Sequence, residues 1–351
     1  FPTRRSSDLR KWIGYEKGVN LGGWLSQCDY SKERLEHFIE EEDIRRLSTW
    51  GLDHLRLPMD YNVLREENGT FKKDGFDYVK RAVEWCRKYG LNVILDLHKT
   101  AGYSFDKDEQ EHGFFAEESY QEYFYTLWEE IARKFAGYGD QVAFELLNEV
   151  TDEKTMDAWN RISQECIRRI RKITPTVKIL VGGYWNNSVA AVKDLAMPAD
   201  ENIVYNFHCY EPLIFTHQGA GWIDTMPSDY RMSFDHDMSV FWDRTKEYLP
   251  NNMIMLEPAK DIAHALDSEF FEKLFAEAVS VAEERNVPLY CGEYGVINLA
   301  SPEDTLKWYR SIHAVFEKYG IGRAAWSYKE MDFGLIDEHM DPVREDVIRE
   351  L

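Results

Sequence analysis

The sequence predicts an α/β fold, a (β/α)8 TIM barrel with an inserted subdomain after its sixth strand. Short apolar runs alternate with long amphipathic runs from residue 18 onward, which is typical of βα units around a parallel sheet. Eight such apolar runs can be counted along the chain. The length of 351 residues also fits one barrel, since barrels usually have about 250 residues and reach about 400 with insertions.

Each predicted strand is a short run of apolar and β-branched residues, as expected for a strand buried on both faces. The strands are predicted at residues 18–21, 52–57, 92–97, 141–147, 178–181, 203–207, 288–291 and 322–326. Helical patterns connect them at residues 33–49, 76–89, 119–135, 155–172, 188–195, 269–285 and 303–319. Glycines at 51, 90 and 320 follow three of these patterns, which suits helix C-caps.

The interval between the sixth and seventh strands is too long for an ordinary loop, because it runs from Tyr210 to Val287. Its part from 211 to 267 contains Trp222 and other apolar residues, enough to pack. We interpret this part as a subdomain inserted within one (β/α)8 domain that spans residues 10–351. It would be either a wall or lid on a substrate groove or a purely structural support.

The composition narrows the class of partner. The chain has 42 basic and 63 acidic residues, and the net charge of −21 disfavours nucleic acid and anionic membranes. No apolar stretch approaches the roughly 18 residues that a membrane span needs. Five scattered cysteines without a CxxC pair predict neither a disulfide framework nor a zinc site, and no HExxH motif or ligand cluster suggests a metal. We expect a monomer that needs no cofactor and takes a neutral substrate.

The first nine residues differ in character from the rest of the chain. They lack the apolar segment of a signal peptide. We expect residues 1–9 to be a leader that is foreign to the protein and lies outside the fold. The compartment stays open between a secreted protein whose signal is missing and a cytoplasmic protein.

Two predicted strands deliver a carboxylate at the end of an apolar run, namely Glu149 and Glu293. The carboxyl ends of all barrel strands meet at one mouth, so these two glutamates are expected to face each other. Such a pair can hydrolyse a glycoside, with one carboxylate as nucleophile and the other as proton donor. We therefore interpret Glu149 as the acid/base and Glu293 as the nucleophile of a glycoside hydrolase.

The separation of the two carboxyl groups distinguishes the two possible mechanisms. A retaining enzyme has its carboxyl groups about 5 to 5.5 Å apart, whereas an inverting enzyme has them about 6.5 to 9.5 Å apart. We predict the shorter distance.

Polar, titratable or large aromatic residues stand at or just after all eight predicted strand ends, which a random globular chain would not show. In chain order they are Asn20 and Trp24, Arg56, His98, Asn148 and Glu149, Trp185, His208 and Tyr210, Glu293, and Trp326. The set predicts a site at the mouth of the barrel.

This set resembles glycoside hydrolase family 5 of clan A, which carries an Arg, a His, an Asn-Glu pair, a His-x-Tyr, a Glu and a Trp in this order. Segments 18–24, 144–149, 205–208 and 290–295 are similar to compact clostridial endoglucanases of the C type, which also have a subdomain after the sixth strand. The resemblance implies a retaining endo-acting β-glucanase that cuts β-1,4 bonds in cellulose-type or mixed-linkage β-1,3-1,4-glucans by double displacement. Gly-Gly-Trp-Leu at 22–25 also resembles fungal exo-β-1,3-glucanases, so that activity and a β-mannanase stay open.

The resemblance also suggests roles for the polar residues. Two close carboxylates do not both ionise freely, so Arg56 beside Glu293 would keep the nucleophile anionic and leave Glu149 protonated. Asn148 is expected to bind the sugar 2-hydroxyl. Tyr210 is expected to donate a hydrogen bond to Glu293 and to orient it.

The remaining residues of the set are expected to contact sugar or to support the carboxylates. His98 and His208 would donate hydrogen bonds to sugar hydroxyls or to the glutamates. Trp326, Trp185 and Trp24 would present flat faces to glucosyl rings. Outside the set, we expect Glu145 to be a buried partner of an arginine and Asp96 to be structural.

Two other classes of function compete with this hypothesis. A phosphate-binding isomerase would need a glycine-rich loop after strands seven and eight, and Gly292, Gly295 and Gly334 do not form one. A non-catalytic carbohydrate-binding barrel is the other alternative. Neither carboxylate of the predicted pair is missing, which favours the enzyme.

Overall fold

The computed structural model describes residues 9–106, 109 and 111–351 and shows a closed barrel of eight parallel strands in sequence order. The strands are β1 (Lys17–Asn20), β2 (His54–Asp60), β3 (Asn92–Lys99), β4 (Val142–Glu145), β5 (Lys178–Val181), β6 (Ile203–Cys209), β7 (Leu289–Tyr294) and β8 (Gly322–Ala325). All eight predicted strands are present, each within a few residues of its predicted bounds. The predicted fold class is confirmed.

Helices cover the outside of the barrel and connect its strands. They are α1 (Lys32–His37), α2 (Glu41–Leu47), α3 (Tyr61–Leu64), α4 (Lys73–Lys88), α5 (Glu118–Phe135), α6 (Met156–Arg171), α7 (Tyr184–Asn187), α8 (Leu213–Thr216), α9 (Met238–Tyr248), α10 (Met253–Leu256), α11 (Ser268–Glu284), α12 (Pro302–Tyr319) and α13 (Arg344–Glu350). None of the described helices combines the length and the apolar character that crossing a membrane requires.

Two predicted helices are corrected. The segment 33–49 is not one helix, because Glu40 has an extended backbone and starts α2 with a capping box in which its N–H donates to Asp43. The segment 188–195 forms only a 3₁₀ helix, Val189–Asp194, between extended residues at both ends. Short segments of this kind close i→i+3 turns without propagating an α-helix.

The amino-terminal end of the barrel is closed by aromatic side chains. Trp12 and Tyr15 stack with ring centroids 4.0 Å apart and pack in one cluster with Tyr290 and small apolar residues of the barrel interior. Leu9 is buried in the main core, so the expectation that residues 1–9 lie outside the fold is wrong at this position. Residues 1–8 lie outside the described part of the chain. The open end of the barrel is therefore the carboxyl end.

The segment from 211 to 267 contains α8, α9 and α10. Phe215, Phe241 and other buried side chains of the segment belong to the main core cluster of the barrel, and Ala220 packs with Trp326 and Phe333. Trp222 is different, since 46 % of its surface remains exposed. The segment is thus anchored to the barrel by its own apolar residues and presents one large aromatic side chain to solvent.

Candidate active site

The side chain of Arg56 organises the carboxyl end of the barrel. It points from β2 into the barrel with no exposed surface. Its Nε and Nη2 donate to the two carboxylate oxygens of Glu145 at 2.7 and 2.8 Å, and Nη2 also donates to Asn148 Oδ1 at 2.7 Å. Its Nη1 donates to Asn20 Oδ1 at 2.9 Å and to Glu293 Oε1 at 2.7 Å. A buried guanidinium needs such partners to offset its desolvation, and the predicted pairing of Glu145 with an arginine is confirmed.

Glu293, on β7, is held by two donors. Arg56 donates to Oε1, and the Tyr210 hydroxyl donates to Oε2 at 2.9 Å. Burial and the neighbouring carboxylates raise the pKa of Tyr210 well above its usual value, so the phenol keeps its proton and remains a donor. A cation and a phenolic O–H together stabilise negative charge on Glu293.

Glu149, just after β4, is held by neutral donors. His208 Nδ1 lies 2.8 Å from Oε1, and Asn186 Nδ2 donates to Oε2 at 2.7 Å. Burial raises the pKa of Glu149 to about 7, against the opposing effects of the Asn186 hydrogen bond and the Arg56 charge. This carboxyl group therefore carries a proton in a large fraction of molecules at neutral pH.

His208, on β6, acts as a neutral donor. Burial lowers its pKa to about 4. Asn187 Nδ2 lies 3.4 Å from Nε2 and donates to the backbone oxygen of Asn148. These contacts assign the proton of His208 to Nδ1, which faces Glu149 at 2.8 Å and Glu293 at 3.6 Å. The histidine thus lies between the two carboxylates.

The two glutamates are close together. One oxygen of Glu149, one oxygen of Glu293 and Nδ1 of His208 all lie within 4.8 Å of one another. Within the described part of the chain, this trio is also the group of His, Cys, Asp and Glu ligand atoms that could share a cation. Arg56 already supplies positive charge there.

His98 and Trp326 form a second wall of the site. Their rings are parallel within 6° at a centroid distance of 5.8 Å, and Phe105 approaches the other side of His98 edge-on. His98 Nδ1 lies 2.6 Å from Asp96, and burial lowers the pKa of His98 to about 4. A Cβ atom on Gly22 would lie 2.8 Å from the Trp326 ring. The glycine at this position therefore gives the tryptophan its space.

The three predicted tryptophans do not share one environment. Trp185 lies half-buried in α7 and contacts Tyr184 edge-to-face at 4.9 Å. Trp24 is fully buried, donates its indole N–H to the backbone oxygen of Leu35, and stacks near Trp85 of α4. The prediction that Trp24 presents a face to substrate is therefore wrong.

The physical reason for this error is a turn that follows β1. Gly23 adopts a left-handed conformation with φ of 73°, which residues other than glycine rarely adopt. The turn places Trp24 in the core, where it contacts Leu35 of α1 and Trp85 of α4, away from the mouth of the barrel. Asn20, on the strand itself, stays in the site and donates to the backbone oxygens of Gly292 and Ala324, which joins β1 to β7 and β8.

Three residues of the site were not predicted from the sequence. Asn186 contacts Glu149, Asn187 contacts His208, and the Tyr103 hydroxyl donates to the backbone oxygen of Glu149 at 2.6 Å. A signal for the two asparagines was available, since their side-chain amides stand in the loop after the fifth strand, next to the predicted Trp185. Tyr103 lies in a long loop after β3, where no local pattern marks it.

The comparisons with known proteins place the chain among cellulases. A family model described as Cellulase (glycosyl hydrolase family 5) matches residues 13–332. Cellodextrinase A of Ruminococcus flavefaciens is 50 % identical over 315 residues, which cover 90 % of this chain and 86 % of the relative. Endoglucanase C of Acetivibrio thermocellus is 36 % identical over 346 residues, which cover 96 % of this chain and 97 % of the relative.

Solved structures share the fold. A hyperthermophilic endo-β-1,4-glucanase solved in complex with substrate has a TM-score of 0.73 at 23 % identity, with 95 % of this chain and 97 % of that chain covered. Endoglucanase Cel5A of Thermotoga maritima has a TM-score of 0.73 at 22 % identity, with 96 % and 97 % covered. At this level of identity the likeness establishes the barrel architecture.

Proposed function

The chain belongs to the cellulase family, glycosyl hydrolase family 5, and we propose that it hydrolyses internal β-1,4-glucosidic bonds of cellulose-type or mixed-linkage β-1,3-1,4-glucans with retention of configuration. It is a glycoside hydrolase and its substrate is a β-glucan. We further propose Glu293 as the nucleophile and Glu149 as the acid/base. The observation that carries this assignment is the unequal environment of the two neighbouring glutamates, since only Glu293 contacts a guanidinium.

In the first step, a Glu293 oxygen attacks the anomeric carbon while the bond from that carbon to the leaving oxygen breaks. Glu149 gives its proton to this oxygen, so the shortened glucan leaves as a neutral alcohol. The product is a glycosyl ester on Glu293 and an ionised Glu149. The charge that Glu293 loses on attack is accommodated because Arg56 is also paired with Glu145.

In the second step, the ionised Glu149 takes a proton from water. The water oxygen forms a bond to the anomeric carbon, and the ester bond to Glu293 breaks and restores its carboxylate. Each step inverts the anomeric centre, and the two inversions give net retention. A pKa of about 7 for Glu149 suits both its tasks, donation in the first step and acceptance in the second.

Neighbouring residues orient the sugar in this scheme. Asn148 uses its Oδ1 as acceptor for Arg56, so its Nδ2 hydrogens remain for the sugar 2-hydroxyl. Trp326 offers a flat ring face to the C–H face of a glucosyl unit, and the His98 ring, which is parallel to it, supports its position. The inserted segment 211–267 is proposed as a further wall of the groove within a single catalytic domain, and the protein as a monomer.

A panel of polysaccharides tests the proposed specificity. The purified protein would be given soluble β-1,4-glucan, mixed-linkage β-glucan, β-1,3-glucan and β-mannan, with product lengths determined by chromatography. Internal cleavage of the first two with mixed oligosaccharide products supports the proposal, and proton NMR should show the β-anomer as the initial product.

Each alternative has its own outcome in this panel. Glucose released alone from β-1,3-glucan indicates the exo-acting activity, and preference for mannan indicates a β-mannanase. Binding of glucans without any hydrolysis indicates a carbohydrate-binding barrel. Any of these results would contradict the proposed function.

A further inference from the structure

We propose that Asn186 is the positioning residue of the proton donor, and that its side-chain amide fixes the orientation and the protonation equilibrium of Glu149. This inference rests on the proposed function, because it assigns a task to Asn186 only if Glu149 is the acid/base. The amide donates to Glu149 Oε2 at 2.7 Å. No sugar contact is needed for this task, so Asn186 acts through Glu149.

The segment that carries Asn186 is attached to the end of β4 along its length. The backbone N–H groups of Trp185 and Asn186 donate to the oxygens of Thr151 and Val150 at 3.3 and 2.9 Å. The Asn187 side chain donates to the backbone oxygen of Asn148. These contacts flank Glu149 on both sides in sequence, so β5 and its following turn hold the position of the carboxyl group.

The backbone of this segment is held in a rare conformation. Trp185, Asn186 and Asn187 have φ angles of 50°, 57° and 55°. Left-handed residues other than glycine are uncommon, and strained residues of this kind concentrate at functional sites. Asparagine tolerates this conformation better than most residues. A right-handed turn would direct the Asn186 amide away from Glu149. The left-handed backbone is therefore needed for this hydrogen bond.

The hydrogen bond from Asn186 has a defined electrostatic effect. A donor to a carboxylate favours the ionised form, and it opposes the rise in the pKa of Glu149 that burial causes. The His208 contact at Oε1 leaves Oε2 as the oxygen that Asn186 controls. The amide thereby keeps Glu149 able both to give and to accept a proton near neutral pH.

The location of Asn186 makes the idea testable. Its side chain is exposed at the rim of the mouth, whereas Glu149 is 8 % exposed. Replacement of Asn186 therefore opens no cavity in the core. The variant Asn186→Gly removes the amide and suits a positive φ, because glycine adopts it without steric cost.

We expect Asn186→Gly to move the alkaline limb of the pH profile of kcat/KM upward by roughly one unit, since a charge-assisted hydrogen bond to the ionised form is lost. We also expect kcat to fall on the order of tenfold with a glucan, and less with an aryl cellobioside, whose leaving group needs little protonation. Both quantities are measured by steady-state kinetics across pH.

Two further variants complete the design. Asn286, after α11 at the closed end of the barrel, also has a positive φ of 52°, and Asn286→Gly should leave the pH profile unchanged. Asn186→Asp keeps the shape but puts a carboxylate beside Glu149, so its alkaline limb should lie at least as high as that of Asn186→Gly.

The inference is overturned if both Asn186 variants, shown by circular dichroism to be folded, keep the wild-type pH profile and the wild-type dependence on leaving group. That result leaves the proposed function intact as long as the unmodified enzyme hydrolyses β-glucan. If the unmodified enzyme hydrolyses no β-glucan, the proposed function fails first, and the two failures are thus distinguishable.

Discussion

The ends of β4 and β7 present the same side chain in two different settings. Glu149 and Glu293 are both less than a tenth exposed and lie at one mouth. Glu293 accepts hydrogen bonds from a guanidinium and a phenol, whereas Glu149 accepts them from a neutral imidazole and an amide. The two glutamates thus differ in the charge of their donors and not in the type of acid, and the proposed roles of nucleophile and proton donor rest on that difference.

The difference extends to the groups around Arg56. Its guanidinium lies within 3.1 Å of Asp96 and within 2.8 Å of Glu145 in addition to Glu293. Burial raises the pKa of Asp96 to about 7. Arg56 thus contacts three acidic groups, and of these Glu293 is the one that also accepts a hydrogen bond from Tyr210.

The largest effect is expected from Glu293→Ala, which removes the proposed nucleophile. Turnover of β-glucan should fall on the order of 10⁵-fold, because no other group can form the covalent intermediate. This loss is measured as the initial rate of hydrolysis of mixed-linkage glucan. The control variant is Glu345→Ala, at an exposed position of α13, and it should hydrolyse the glucan at the wild-type rate. If Glu293→Ala kept a rate within tenfold of the wild type, Glu293 would not be the nucleophile, and the proposed difference in role between Glu293 and Glu149 would be contradicted.

Glu149→Ala should cost about 10²- to 10⁴-fold on β-glucan, the usual contribution of general acid–base catalysis. On an aryl cellobioside with a good leaving group, formation of the glycosyl-enzyme should persist, and its hydrolysis should become slow. Added azide should restore turnover and yield a β-glycosyl azide, detectable by NMR. An α-configured azide product from Glu149→Ala, with the β-azide coming from Glu293→Ala, would instead show that the two roles are reversed, because azide inverts the anomeric centre once when the nucleophile is missing.

Arg56→Lys keeps a positive charge but loses the planar fork that binds Glu145 and Glu293 together. We expect the free energy of unfolding to fall by about 3 kcal/mol or more, because buried acidic groups lose their partners. Urea denaturation measures this change. Arg244→Lys is the matched control, since Arg244 is exposed and pairs with Glu247. Equal stability of the two variants would contradict the role of Arg56 as the organising charge.

The pH dependence of the wild type follows from the setting of Glu149. Burial raises its pKa to about 7, and the proposed first chemical step needs the protonated form. The protonated fraction falls as pH rises through this value, so kcat/KM should decline about tenfold per unit well above pH 7. An alkaline limb near pH 5 would mean that burial does not raise the pKa of Glu149.

The smallest effect is expected from Trp222→Ala in the inserted segment. Trp222 contacts His217 edge-on at 6.0 Å, and His217 contacts Tyr210, the partner of Glu293, at 5.1 Å. If this segment is a wall of the groove, KM for long cello-oligosaccharides should rise about fivefold through a lost aromatic contact, with kcat for short ones unchanged. Ile254→Ala, at another exposed apolar residue of the segment, is the control. Equal effects of the two changes would favour a structural role.

The errors in the prediction show where local patterns stop being informative. Trp24 follows a strand end like Trp326, but the left-handed Gly23 directs it into the core. The helical pattern of 33–49 is interrupted at Glu40, because a reciprocal side-chain cap competes with helix continuation. Apolar periodicity reports which face is buried, and it does not report the direction of the next turn.

The sequence by itself determined the barrel and the position of two glutamates at its mouth, because strand and helix periodicities are local and parallel strands bring their carboxyl ends together. Only the tertiary structure decided which donors reach each carboxylate. Asn186 meets Glu149 from a different βα unit, through a left-handed turn. Such contacts depend on angles and distances between elements far apart in the chain, and no single segment encodes them.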